Sequence, residues 1–149
     1  MAIDKYAINA DKTLMAFEFV SEGPKGKIVK VVQYVEGNLK GFYNLGFGDR
    51  DSISGEINDL IVSNNGDSEK VLATVIETVY MFMKKYPDAI IYVTGSTQSR
   101  TRLYRMGIAK YLDEIREDFE LYGQKDGEWL EFKNGVAYTK FLVYKKIRL

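Results

Sequence analysis

The 149 residues carry 21 Lys+Arg against 21 Asp+Glu and 46% hydrophobic side chains, with neither cysteine nor histidine. A chain of this length suits a single domain that buries roughly 70% of the surface it would expose unfolded. Without Cys or His there is no disulfide, no Ser-His or Cys-His catalysis and no Cys- or His-ligated metal, so any chemistry falls to carboxylates, Tyr, Lys, Ser/Thr and backbone groups.

Balanced charge gives no whole-molecule attraction to nucleic acid or membrane, so a nucleic-acid contact would have to be a local patch. No apolar run approaches the ~20 residues needed to cross a bilayer, and Met1-Ala-Ile-Asp-Lys5 has no apolar leader, so a soluble cytoplasmic protein is expected.

In chain order, the aromatic and β-branched runs Thr13–Ser21 and Lys27–Glu36 flank Glu22-Gly-Pro-Lys-Gly26, a composition that predicts a β-hairpin. Gly37-Asn38 leads into a third strand over Lys40–Phe47, where Gly46 and Gly48 suggest a bulge or a close backbone approach. Glu56–Val62 reads as a fourth strand, ended by Asn64-Asn-Gly-Asp67. From Ser68 to Tyr86, Val71, Leu72, Val75, Ile76, Val79, Phe82 and Met83 recur at helical spacing. Asp67 is the expected N-cap, and Lys84 and Lys85 suit the negative end of the helix dipole. Pro87-Asp88 stops that helix, Ala89–Thr94 reads as a short buried strand, and a second helix is predicted from about Ser99 to Asp118. Phe119–Gly123 and Thr139–Arg148 close the chain as strands around the turn signals Asp126-Gly127 and Asn134-Gly135. The expectation is an α+β single domain over residues 1–149: a mostly antiparallel meander with two helices flanking a central strand.

The candidate site lies at the start of the second helix. No acidic residue occurs between Asp88 and Asp113, and Arg100, Arg102 and Arg105 occupy the first turns, where a helix dipole favours Asp or Glu. Such a break is expected where an anion from outside the local sequence supplies the missing charge. Gly95, Ser96 and Thr97 could cap the helix or bind that anion. Arg100 and Tyr104 share one face at i, i+4, and Arg102 and Arg105 share another at i, i+3, so Arg100 is the stronger candidate and Arg102 and Arg105 read equally well as solvated side chains. The alternative for Arg100 is an internal ion pair with Asp49, Asp59 or Asp67. Asp49, Asp51, Glu56 and Asp59 do not fit a calcium loop, because Ser54 and Leu60 stand where Gly and Glu are needed, so no metal is expected. Most Tyr and Phe alternate along strands and read as core, and Trp129, beside a turn, reads as a partly buried anchor or an interface residue.

The element order and the run Leu103-Tyr104-Arg105-Met106-Gly107-Ile108 resemble the GCN5-related N-acetyltransferase superfamily, whose second helix reads Leu-Tyr-x-x-Gly-Phe. The resemblance implies Tyr104 as general acid toward the departing coenzyme A thiolate and Ser63–Ser68 as the loop facing the cofactor pyrophosphate. That loop keeps one glycine, Gly66, lacks the superfamily's Gln/Arg, and places Asp67 where the phosphates would lie. The chain also resembles a family of small uncharacterised bacterial proteins marked by Phe47-Gly48-Asp49, Asn64 to Asp67, Val71 to Val75 and Gly95 to Tyr104.

The reading reached is an acetyltransferase-like module with a degenerate cofactor loop and no cofactor. It would recognise an anionic ligand, a nucleic-acid phosphate or a partner protein through the ligand-binding residues Gly95, Ser96, Thr97, Arg100, Arg102, Arg105, Asn64, Asn65 and Gly66. The alternatives are an acyl-CoA-dependent N-acyltransferase, with acetyl-CoA as cofactor, Tyr104 as acid and Glu56 or Asp59 as base, and an interaction protein using an edge strand.

Overall fold

Alternation of apolar and polar side chains sets the first half of the sheet. The chain is described by a computed structural model over residues 4–50, 54, 57–58, 65–94 and 98–146, with the backbone alone at 57, 58, 99, 100 and 103. A short β1 (Asn9–Ala10) pairs with β2 (Ala16–Gly23), which forms a hairpin with β3 (Gly26–Glu36) through Pro24-Lys25, and β3 pairs in turn with β4 (Phe42–Arg50). On one face Phe17, Phe19, Val32, Tyr34, Tyr43, Leu45 and Phe47 are buried. Glu18, Val20, Val35 and Asn44, on the opposite parity, are exposed or half-buried.

β4 then pairs with the two-residue β5 (Ile57–Asn58) at Asp49 and Arg50. Helix α1 (Ser68–Lys85) lays Val71, Val75, Thr78 and Phe82 on the sheet, and Tyr34 stacks on Phe82 with ring centroids 4.2 Å apart. β6 (Ile90–Thr94) returns parallel to β4, and α2 (Gln98–Lys110) and α3 (Leu112–Asp118) lead to the antiparallel strands β7 (Phe119–Lys125), β8 (Glu128–Glu131) and β9 (Lys140–Lys145). The sheet order is β1-β2-β3-β4-β6-β9-β7-β8 with β5 beside β4, so β6 lies in the interior. The fold is α+β with a mostly antiparallel sheet. Side chains from all three helices meet Leu45, Val93, Leu121 and Val143, which share one sheet face by register.

Several sequence expectations are corrected. The second helix is not continuous from 99 to 118: Tyr111, at φ −105° and ψ 19°, breaks it, and α3 starts afresh at Leu112. Tyr104 on α2 and Tyr111, Leu112 and Ile115 at and beyond the break are all buried, at a spacing that keeps them on one side. Gly46 and Gly48 form no bulge, since the β3–β4 ladder runs uninterrupted from Lys30↔Asp49 to Glu36↔Tyr43. Two strands, β1 and β8, were not foreseen, because two residues and the four exposed residues Glu-Trp-Leu-Glu are too short to show a period. Of the expected strand Glu56–Val62, only Ile57 and Asn58 fall within the described residues.

Candidate functional site

The loop before α1 is braced from within. Asn65 is 1% exposed, and its side chain is spent on the β2–β3 hairpin. Its Oδ1 accepts the Lys25 N–H at 2.7 Å, and its Nδ2 donates to the Gly26 carbonyl at 2.9 Å and to Ser21 Oγ at 3.2 Å. The hairpin comes so close that a Cβ at Gly23 would lie 1.9 Å from the Asn65 carbonyl oxygen, so only glycine fits there. Gly66, at φ +76°, turns the chain toward the helix.

Asp67 occupies the N-cap position but makes no side-chain cap bond, which corrects the expected cap. Its Oδ2 instead accepts the hydroxyls of Tyr6 and Ser21, each at 2.5 Å. Tyr6 reaches it along an N-terminal strap: Lys5 pairs with Glu77 at 3.0 Å, the Tyr6 N–H donates to Thr74 Oγ1 at 3.0 Å, and Lys70 Nζ sits 4.3 Å from the Tyr6 ring centroid. Burial, reinforced by the hydrogen bond to the Asp67 carboxylate, pushes the Tyr6 hydroxyl above its usual range.

A second polar group lies on the same sheet face. Lys30 and Asp49, opposite each other across β3 and β4, are both buried and their charged atoms are 2.5 Å apart. Asp49, held by Lys30, and Asp67, held by Tyr6 and Ser21, are two of the partners the sequence offers Arg100, whose side chain lies outside the described residues.

Helix α2 presents the opposite situation. Its first turn has no acidic residue. Arg102 is exposed and Arg105 half-buried, and among the described residues neither enters an ion pair. The last turn of α2 is tied to the first turn of α1 by the Lys110–Glu69 pair. Tyr104 faces inward and is 5% exposed, against Leu45 and Val93 in the lining of an apolar cavity. Leu45↔Val93 is also the last registered pair between β4 and β6, after which β4 stays paired with β3 and meets β5 at Asp49 and Arg50. Near Tyr104 lies Tyr34, whose hydroxyl bonds Thr78 Oγ1 at 2.8 Å, and Thr78 donates onward to the Val75 carbonyl at 2.6 Å. Burial pushes the Tyr34 hydroxyl well above its usual range, and Tyr104 adds to that shift.

Of the residues singled out in the sequence, the structure thus assembles Asn65 and Gly66 with Asp67 as an internal brace, puts Tyr104 in the core and leaves Arg102 and Arg105 on the surface. Asn64, Gly95, Ser96, Thr97, Glu56 and Asp59 lie outside the described residues, as does the side chain of Arg100. Sequence reasoning missed Tyr6, Ser21, Gly23 and Lys30. The one signal available was Lys30 itself, a cation at an inward position of an otherwise apolar alternation.

A family model described as a family of unknown function, DUF6934, matches residues 2–146. The chain belongs to that family. Membership agrees with the expectation of an uncharacterised family and assigns no activity. No curated protein matches the chain, and no solved structure does. Among the described residues, no helix is long and apolar enough to cross a membrane.

Proposed function

We propose that this protein is a non-acetylating recognition module on an acetyltransferase-like scaffold, reading an anionic ligand through α2. The observation that carries the reading is the pair Arg102 and Arg105, accessible and without an ion pair among the described residues, on a helix with no acid in its first turn. Arginine left unpaired on a fixed element is suited to phosphate or carboxylate, because its planar donors match two oxygens at once. Gly95, Ser96, Thr97 and Arg100 complete the site in this reading, at the end of α2 where backbone N–H groups favour negative charge. The Asn65-Gly66-Asp67 loop serves the scaffold, the Asn65 amide and Asp67 Oδ2 being already engaged. Thermal unfolding with phosphate, nucleotides and short oligonucleotides tests it. A ligand at 100 times its dissociation constant should stabilise the protein by about 2.7 kcal/mol, and Arg102→Glu with Arg105→Glu should abolish that gain. No stabilisation by any of these anions would overturn the reading.

The second reading, an acyl-CoA-dependent N-acyltransferase, has one observation in its favour: Tyr104 lines the same cavity as Leu45 and Val93, the last registered pair between the parallel strands β4 and β6. Tyr104 would then be the acid, Glu56 or Asp59 the base, and Ser63–Ser68 the cofactor loop. A carboxylate, Asp67, in that loop opposes an anionic cofactor. Calorimetry with acetyl-CoA is expected to find no binding tighter than about the millimolar range, equivalent to ~4 kcal/mol. A micromolar complex would promote the enzyme over the module.

A further inference from the structure

Between the helices and the sheet lies a cavity of about 80 Å³, lined by apolar side chains from α1, α2, α3 and four strands. Its floor includes Leu45, Val93 and Val143, all buried. Its roof includes Leu72, Ile76 and Ile108, which are only half-buried because they also form the seam between α1 and α2. The seam is pinned at one end. The Glu69–Lys110 pair joins the helices there, and a Cβ on Gly107 would meet Leu72 at 3.0 Å, so the absent side chain is what allows that approach. Beyond the pin, the described side chains leave the space beneath the helices unfilled.

Close-packed interiors rarely leave such a volume, and although the pocket is partly open to solvent its hydrocarbon walls offer water few partners. We infer that this cavity is a binding site for a small uncharged alkyl group, admitted through the α1–α2 seam at Leu72, Ile76 and Ile108. A dry cavity of about 150 Å³ accommodates benzene, so one of about half that size suits xenon or an alkyl group of roughly three or four carbons. A carboxylate or ammonium is excluded from the interior because nothing there would repay its desolvation. The occupant is therefore a free hydrocarbon or the alkyl end of a molecule whose polar end stays in the seam. The inference does not depend on the anion reading, which concerns the outward side chains of α2.

The test is methyl NMR of the whole chain under xenon and cyclopropane, alongside titration with the series acetamide, propionamide, butyramide and hexanamide. Saturable shifts are expected at the methyls of Leu45, Leu72, Val93 and Ile108. Affinity should rise about fourfold for each added CH₂ up to butyramide, then fall at hexanamide as the chain outgrows the space. Binding of the gases without that amide trend assigns the site to free hydrocarbons, and the trend assigns it to alkyl ends. Val75→Ile with Val93→Ile, which adds one methylene at each of two lining positions, should raise the unfolding midpoint and remove the shifts. Val93→Ala, which enlarges the site, should shift preference toward benzene. Unsaturable shifts, equal binding in the filled variant, or water contacts to the Val75 and Val93 methyls would overturn the inference.

Discussion

Two polar regions on the helix-bearing side of this protein use their charges in opposite ways. Around the start of α1, Asn65 and Asp67 bond the hairpin, Ser21 and Tyr6, and nearby Lys30 and Asp49 neutralise each other inside the core. On α2, Arg102 and Arg105 face outward and pair with no carboxylate among the described residues. A polar motif in the sequence therefore has two destinations. Where its groups are satisfied internally it belongs to the fold, and where they are held on a rigid element without a partner they are available to a ligand. Mutations in the first region should therefore cost stability and leave ligand binding intact, whereas mutations on α2 should do the reverse.

The largest effect is expected at the buried ion pair. Lys30→Met leaves the Asp49 carboxylate in the core without its cation, and should cost about 3 to 5 kcal/mol in urea unfolding. The double variant Lys30→Met with Asp49→Leu should recover most of that loss, since two apolar groups carry no desolvation penalty. Failure of the double variant to recover would mean that the pair serves something other than packing.

Next comes the brace before α1. Asn65→Ala removes a buried amide that holds the Lys25 N–H and the Gly26 carbonyl of a hairpin that Gly23 brings tightly against the loop, and about 1 to 2 kcal/mol is expected from the lost bonds. Asp67→Ala removes the acceptor for Tyr6 and Ser21 and should cost about 1 to 3 kcal/mol, again by urea unfolding. A gain in acetyl-CoA binding in Asp67→Ala would show that the carboxylate had been blocking a working cofactor loop.

How much of this was legible beforehand follows from what each element depends on. The meander and α1 were readable because alternation and 3.6-residue spacing are local. Tyr34 and Phe82, for example, sit at inward positions of their own elements, and their stacking follows from that. The brace was not readable, because Tyr6, Ser21 and Asp67 are 61 and 46 residues apart and no local pattern links them. The break at Tyr111 was equally hidden: it contains neither Gly nor Pro, and Tyr104, Ile108, Tyr111, Leu112 and Ile115 keep one helical spacing across it. The arginine-rich start of α2 was visible as a departure from dipole preference, yet that Asp49 and Asp67 were already engaged could be seen only in three dimensions.

An intermediate effect should appear with pH. Tyr34 has its proton affinity raised by burial, so the folded state keeps the proton after the unfolded chain loses it near pH 10. Stability is then fully present below about pH 10 and falls above it, by about 1.4 kcal/mol per pH unit for this one group until its folded-state pKa is reached. Tyr34→Phe should flatten the slope of unfolding free energy against pH by one proton. Tyr80, whose hydroxyl burial and the nearby Asp118 push up to about 12, should leave a residual slope of the same sign.

The smallest stability change is expected where the proposed function is concentrated. Arg102 is exposed and Arg105 half-buried. Replacing either with Ala removes no ion pair recorded among the described residues and relieves unfavourable charge toward the start of a helix. Stability should therefore stay within about 0.5 kcal/mol of the parent, as for surface sites without special partners. The same substitutions should weaken binding of a phosphate-bearing ligand and reduce its dependence on salt by about one released counterion each, if that ligand is a nucleic acid. A loss above about 2 kcal/mol at Arg105 alone would place it with Lys30 and Asp67 among the internally committed charges, and Arg102 would then be the one remaining described cation of the proposed site.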